Sequence, residues 1–384
     1  MKTPTKSMLC AGLVIAAGLG ISSCKKDLPI KSNDKVFKVA LFKQGLQEQL
    51  AGARGYQFII NQDGRWVDSA VYGIGGFDRA GNTFPAMVES EVNIASVTKT
   101  FTAVAALKLL AQNGLTIEDQ IADWLPEKWS KNSAITTLKF RELLTHSSGI
   151  YEGGTSWSSL KNVVGGPLDG PKIDTYANAN LALFRAMIPK LADKNTFSIK
   201  ENELSADAFD QWMQDEYVKR MNSLVFNPAG TSAVCVPDPK KTTNMLMNEA
   251  PESLAGYTEG DWTPFSGGGG FFMSTVQMAR MMAYLVHSDA VIDDATRAIM
   301  DTQRPGKYRI GWNRIFAVTG GTALAHGGGL TRPANGMDVS LQTMIVKLPN
   351  KVELALSINS MPKGVPRPIN TIVQTAYNNA WVTE

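Results

Sequence analysis

Read for the spacing of its apolar residues, the chain divides into a strand-and-helix start, a long helical middle and a strand-rich end. "VFKVALFKQGLQEQLAG" carries apolar residues at helical intervals and stops at a glycine, which predicts a first helix. "GYQFIINQDGRWVDSAVYGIGG" offers two β-rich runs joined by Asp63-Gly64, a hairpin dipeptide. A second helix opens at Ser96, runs to about Gln112 and ends at Asn113-Gly114. From Leu115 to about Asp289 the pattern is one of helical patches and loops, with "FRELLTHSSG" and "STVQMARMMAYLVHSD" the clearest helices. Strands return in "YRIGWNRIF", "TALAHGG", "DVSLQTMIVKL" and "KVELALSIN", the last two joined by Pro349-Asn350, and "INTIVQTAYNNAWV" predicts a closing helix.

Strands early, helices between and strands late predict an α+β fold: an antiparallel sheet of about five strands built from both chain ends and flanked by helices. The expected divisions are a leader at 1–23, a tether at 24–35 and one domain at 36–384. Within that domain the α/β part takes about 36–114 and 300–384, with a mostly helical insertion at about 115–299. The chain has no internal repeat.

Composition supports a packed globular body: 44% of 384 residues are hydrophobic and 19% charged. Lys plus Arg number 38 against 35 Asp plus Glu, and no basic run is interleaved with aromatics, so a nucleic-acid partner is not expected. The start, "MKTPTKSMLCAGLVIAAGLGISSCKKD", is a short basic segment followed by an apolar run from Met8 to Ile21, shorter than the ~20 residues a spanning helix needs. It reads as a secretory signal. "ISSC" followed by "KKD" looks like a bacterial lipoprotein processing site, at which Cys24 becomes the lipid-bearing first residue; the alternative is a plain signal with an incidental cysteine. A lipid would tether the protein to a membrane, facing the periplasm or the cell surface, without spanning it. The other cysteines are Cys10 in the leader and Cys235, which reads as a small apolar filler; no disulfide framework can be built. His146, His287 and His326 are far apart and lack a metal-ligand pattern, so no metal or other cofactor is expected.

The chemistry turns on Ser96. The pattern S-x-x-K also occurs at Ser22, Ser23, Ser32, Ser158 and Ser360, but only at Ser96 does it open a long helix. Residues i and i+3 share a helix face, so the Lys99 amine can reach the Ser96 hydroxyl, and the helix start offers unpaired N–H groups to a developing oxyanion. A helix-capping serine beside a solvated lysine satisfies the same spacing, so spacing alone leaves both readings open.

"NIASVTKTFTAVAALKLLAQNGLTIED", "ITTLKFRELLTHSSGI", "YANANLALF", "GGGGFFMSTVQMARMM" and "HGGGL" stand in the order seen in the serine β-lactamase and penicillin-binding-protein-like hydrolases. From about Val36 onward the chain resembles the group of class C β-lactamases, D-alanyl-D-alanine carboxypeptidases and esterases. The resemblance implies a β-lactamase/transpeptidase-like fold, with Ser96 as acylated nucleophile and Lys99 as its partner. Tyr176 would be a proton carrier and Asn178 would be oriented toward Lys99 and substrate. Tyr377 and Asn379 repeat the Tyr-x-Asn spacing in the last helix, where the match reads as coincidence. His326, Gly327 and Gly328 fall where the family has Lys-Thr-Gly or a variant, and Gly329 would donate an oxyanion-hole N–H beside that of Ser96. Whether Lys99 or Tyr176 is the base stays open, since the two would titrate as a unit.

The implied substrates are esters, D-amino peptides or β-lactams, including peptidoglycan-like ones. A largely neutral histidine at 326 and the missing hydroxyl at 327 argue against an efficient lactamase. His146 is expected to make a structural hydrogen bond. The loop 151–174 could roof the site with Trp157 as a substrate contact, and 189–213 is longer than expected and could reshape one wall. The competing reading is a non-catalytic cell-wall or ligand-binding protein that keeps the fold. A Ser-His-Asp hydrolase of the α/β type is excluded by the lack of G-x-S-x-G and of alternating strands and helices.

Overall fold

The two hairpin turns foreseen from Asp63-Gly64 and Pro349-Asn350 both form, and both need backbone in the left-handed region: φ is 51° at Asp63, 71° at Gly64, 62° at Asn350 and 53° at Lys351. They lie side by side, because Asp63 N–H donates to the Lys351 carbonyl at 2.8 Å. The computed structural model describes residues 35–77, 82–238, 244–247, 260–334, 337–361 and 368–383. The expected leader, Cys24 and the tether up to residue 34 fall outside the described residues.

Along the chain, β1 (Lys35–Phe37) and α1 (Val39–Gln49) precede β2 (Gly55–Gln62), β3 (Arg65–Phe77), β4 (Thr83–Pro85) and β5 (Glu91–Asn93). A 3-10 turn at Ala95–Val97 leads into α2 (Thr98–Gln112). The middle holds α3 (Ser133–Thr136), α4 (Phe140–Leu144), α5 (Trp157–Gly165), α6 (Asn178–Ala182), α7 (Phe184–Ala192), α8 (Lys194–Glu203) and α9 (Ala206–Met221). Then come β6 (Leu246–Met247), β7 (Phe272–Ser274), α10 (Thr275–His287) and α11 (Asp294–Asp301). The end is β8 (Arg314–Val318), β9 (Gly321–Ala334), β10 (Met337–Leu348), β11 (Val352–Ile358), α12 (Asn370–Asn379) and β12 (Trp381–Thr383).

The main sheet runs β4-β3-β2-β11-β10-β9-β8, antiparallel throughout, with β6 added on β10. Its path has seven strands, where about five were expected. The excess lies at the rims: β4 has three residues, too few for an alternating pattern to show. The termini also pair, β1 with β12, each three residues long and equally unreadable in advance.

Both faces of the sheet are covered. Alternation along β2 sends Phe58 and Ile60 to the core under α1 and α12, and Ile59 to the core shared with α2, α7 and α10. Fully burying each such side chain contributes ~1.5–3 kcal/mol. α2 is buried along nearly its whole length, which is why it lacks a polar stripe. α10 starts where Ser274 and Gln277 close a capping box.

Two close approaches bring the turn that carries Ser96 against the sheet. Ala95 adopts φ 46°, uncommon for a residue with a side chain, and Asn93 Oδ1 accepts its N–H at 2.9 Å. Thr343 Oγ1 on β10 donates to the Ile94 carbonyl at 2.8 Å. β9 slides in between at Gly328: a methyl group there would meet the Ile94 carbonyl oxygen and stand 2.5 Å from Thr343 Oγ1 and 3.0 Å from Ala95 Cβ. At Gly327 the nearest atom to such a methyl is 3.5 Å away. Gly328→Ala is therefore expected to lose about 1–3 kcal/mol of stability by overpacking, with Gly327→Ala near wild type. Urea denaturation of the two variants checks this, and equal stability would refute the close approach.

Candidate active site

Ser96 lies in the 3-10 turn before α2, and neither the cap of that turn nor that of α2 is made by a side chain. The hydroxyl is engaged by Lys99 instead, whose Nζ stands 3.0 Å from Ser96 Oγ. The same amine donates to Asn178 Oδ1 at 2.8 Å and to the Gly268 carbonyl. Lys99 is 1% exposed, and no carboxylate pairs with it among the described residues. Desolvation by burial pulls its pKa down to about 7.

The three partners fix which way the amine works. Asn178 Oδ1 and Gly268 O can only accept, whereas a hydroxyl can also donate. When Lys99 loses one proton, its lone pair is therefore left facing Ser96. Gly268 belongs to the run 267–270, where φ of 101° at Gly267 and 100° at Gly270 lets the backbone pass close to Leu181, Ala182 and Trp262.

Tyr176 stands 5.0 Å, ring centroid to Lys99 Nζ, above the same amine. Its buried hydroxyl has no hydrogen-bond partner; Ser96 and Asn313 lie near enough to favour its anion but fall short of hydrogen-bond geometry. Burial outweighs them and pushes its pKa up to about 12. Desolvation thus governs both members of the pair and favours a neutral amine beside a neutral phenol. His146 packs its ring 4.4 Å from that of Tyr176 and accepts the Ala177 N–H on Nδ1 at 3.3 Å, a positioning contact. Burial, reinforced by the charge of Lys99, holds the His146 pKa down to about 3.

On the opposite wall, His326 is 2% exposed, and burial and the Lys99 charge hold its pKa well below the usual histidine value. Its Nδ1 lies 3.0 Å from the Gly327 carbonyl, which can only accept, so Nδ1 carries the ring proton. β8 pairs with β9 only as far as Ala325, leaving the next residues with an open edge. Gly327 N–H points over that edge to Asn313 Oδ1 at 3.0 Å. Strand alternation directs the Gly329 N–H the same way.

The walls enclose a cleft of about 340 Å³ lined by Ser96, Tyr176, Tyr308, Arg314, Gly327–Gly329 and Gln342, among others. Ser96, Lys99, Tyr176, Asn178, His326, Gly328 and Gly329 are thus brought together. Trp157 is not: its indole N–H donates to Gln214 Oε1 at 3.0 Å and its ring covers the Arg185 guanidinium at 4.1 Å. Tyr377 donates to the Pro349 carbonyl within the core under α1 and α12, away from the cleft. Sequence reasoning missed Asn313, Arg314 and the Gly268 carbonyl. A backbone acceptor has no sequence signal, and Arg314 reads as the solvent face of a strand.

Comparison with known proteins bears on the fold and the family. A stretch of 109 residues is 30% identical to Protein flp of Staphylococcus aureus (strain MRSA252), covering 28% of this chain and 21% of that protein, so the match spans about a fifth of that relative. A D-amino acid amidase from Ochrobactrum anthropi SV3, solved with L-phenylalanine amide, superposes with a TM-score of 0.65 at 16% identity, over 88% of this chain and 97% of that one. A class C beta lactamase from Rhodobacter sphaeroides superposes with a TM-score of 0.62 at 14% identity, over 88% and 97%. These two show a shared fold. The Beta-lactamase family model matches residues 41–357, and the chain belongs to that family.

Proposed function

We propose that the protein is a serine hydrolase working through an acyl-Ser96 intermediate. The observation that carries this reading is the buried Lys99 amine, with no counter-ion among the described residues, 3.0 Å from Ser96 Oγ. Neutral Lys99 takes the hydroxyl proton as Ser96 Oγ bonds to the substrate carbonyl carbon, and the resulting oxyanion is met by the N–H groups of Ser96 and Gly329. Tyr176, a neutral phenol, passes the proton to the leaving group. Water enters by the reverse relay, and the acyl group leaves as its acid.

The substrate class follows from charge. His326 supplies no positive charge, but Arg314 lines the same cleft and has no hydrogen-bond or ion-pair partner among the described residues. A guanidinium in that position suits a carboxylate, which favours carboxylate-bearing D-amino peptides or β-lactams over neutral esters. The N-terminal pattern further supports export and anchoring through a lipid on Cys24, which would hold the cleft near a membrane and a peptidoglycan-like substrate.

Intact-mass analysis of protein from the membrane fraction reads two parts of the proposal together. The expected result is an N-terminal diacylglyceryl mass lost in Cys24→Ala, and a fluorophosphonate, penicillin or activated-ester adduct lost in Ser96→Ala. A well-folded chain that takes none of the reagents would instead be a binding protein.

The free-protein pH profile identifies the base. Because Lys99 acts without its extra proton and its pKa sits at about 7, kcat/KM should rise with pH through about 7 and then level off. A first rise only above pH ~9 would hand the role to a Tyr176 phenolate. For Arg314→Gln, kcat/KM should fall by about ten- to a hundredfold on a carboxylate-bearing D-peptide and stay near wild type on its neutral amide. Equal losses on both would remove Arg314 from substrate recognition.

A further inference from the structure

The glycine run that receives the Lys99 amine is itself held in place, by side chains that the hydrolytic steps do not use. Four consecutive glycines have the widest backbone freedom a chain can offer, and Gly267 and Gly270 both sit at positive φ. Fixing the Gly268 carbonyl therefore takes contacts from outside the run. Thr102 follows Lys99 by three residues and Thr98 by four, so all three side chains meet the run from one side of α2. Thr98 Oγ1 accepts the Phe271 N–H at 3.3 Å, Thr102 Oγ1 lies 2.9 Å from the Gly267 carbonyl, and Lys99 donates to the carbonyl of Gly268. From the far side, Arg185 Nη1 donates to the Ser266 carbonyl at 2.8 Å.

The order of protons in this cluster can be worked out. Thr102 Oγ1 has three neighbours: the Gly267 carbonyl, the Thr98 carbonyl at 3.1 Å and the Tyr217 hydroxyl at 2.9 Å. Both carbonyls can only accept, so they claim the single Thr102 proton. The Thr98 carbonyl already receives an N–H in the helix ladder, which leaves Gly267 as the acceptor that depends on Thr102. Tyr217 must then be the donor to Thr102. It stands fully buried in α9, and burial pushes its pKa up, so it keeps the proton it donates. The relay runs from α9 through α2 to the glycine run, one residue short of the carbonyl that holds Lys99.

We propose that Thr102 and Tyr217 are positioning residues for Lys99: they fix the backbone at Gly267 and Gly268 so that the amine is aimed at Ser96, a role that rests on the reading of Lys99 as the base. Thr102→Val keeps the shape of the side chain but leaves the Gly267 carbonyl without its donor. The Gly268 carbonyl is then less firmly placed, the ammonium form of Lys99 loses part of its acceptor, and its pKa falls further. The titratable groups that face Lys99 are Tyr176, His146 and His326, and those that face Tyr217 are Arg185 and Cys235; the variants leave all five unchanged.

NMR titration of the full chain carrying ¹⁵N-lysine, with the Lys99 signal assigned by its loss in Lys99→Met, tests the proposal without reference to turnover. The Lys99 pKa, about 7 in the wild type, should drop by about one unit in Thr102→Val and return in Thr102→Ser. On an activated ester, the rising limb of kcat/KM should move down with it and the plateau should fall about tenfold, again restored by serine. Tyr217→Phe should lower the plateau about threefold, and the double variant Thr102→Val with Tyr217→Phe should be no worse than Thr102→Val alone. An unmoved Lys99 titration, a loss that serine does not restore, or additive losses would each overturn the proposal. Should Thr102→Val fail to fold by circular dichroism, the same shift, smaller, is read in Tyr217→Phe, and its absence there overturns the proposal equally. A wild type that takes no fluorophosphonate on Ser96 while its Lys99 titration still answers to Thr102 would remove the acyl-enzyme reading and leave the positioning of the amine standing.

Discussion

Everything near Ser96 is arranged around one costly act: an amine is taken out of water with no anion among the described residues to balance it. An ammonium buried alone would neutralise itself, and Lys99 is brought to the point where it does so near neutral pH. Three oxygens keep the amine ordered in either state, from the 3-10 turn before α2, from the start of α6 and from the glycine run. A carboxylate in place of any of them would hold the proton on and leave the amine without a free lone pair.

Neutrality spreads outward from that choice. The two buried histidines on either side, His146 and His326, are both pressed toward the uncharged form by burial and by the charge Lys99 carries when protonated. Positive charge reaches the cleft from its rim, at Arg314, where the side chain stays hydrated. Under the proposed mechanism, interior groups can then exchange protons at little electrostatic cost, while recognition of charge is left to the edge.

The parts of this arrangement that were legible in the sequence are those carried by periodicity or by paired side chains. α1, α2, α10 and α12 announced themselves by apolar spacing and capping residues, and the hairpins by Asp63-Gly64 and Pro349-Asn350. Ser96 and Lys99 were visible as a pair, and Tyr176, Asn178 and the glycines of β9 through motif order. What stayed hidden has a physical reason in each case. β1, β4 and β12 are too short to alternate. Gly268 contributes a carbonyl that any residue would have. Trp157 sits in a stretch that reads as an open loop, yet Arg185 draws its ring inward, because a buried guanidinium holding the Ser266 and Thr155 carbonyls needs a flat cover.

The sheet draws its neighbours from opposite ends of the chain: β2 lies against β11, and the turn bearing Ser96 lies against β9. A polypeptide made from its N-terminus therefore presents its serine and lysine long before it has the strands that desolvate and align them. Until β9 to β11 have joined, the amine stays in water with its ordinary proton and the hydroxyl is inert. Under the proposed function, chemical competence is thus tied to completion of the chain, and a truncated product or one cut before β9 would be silent instead of partly active.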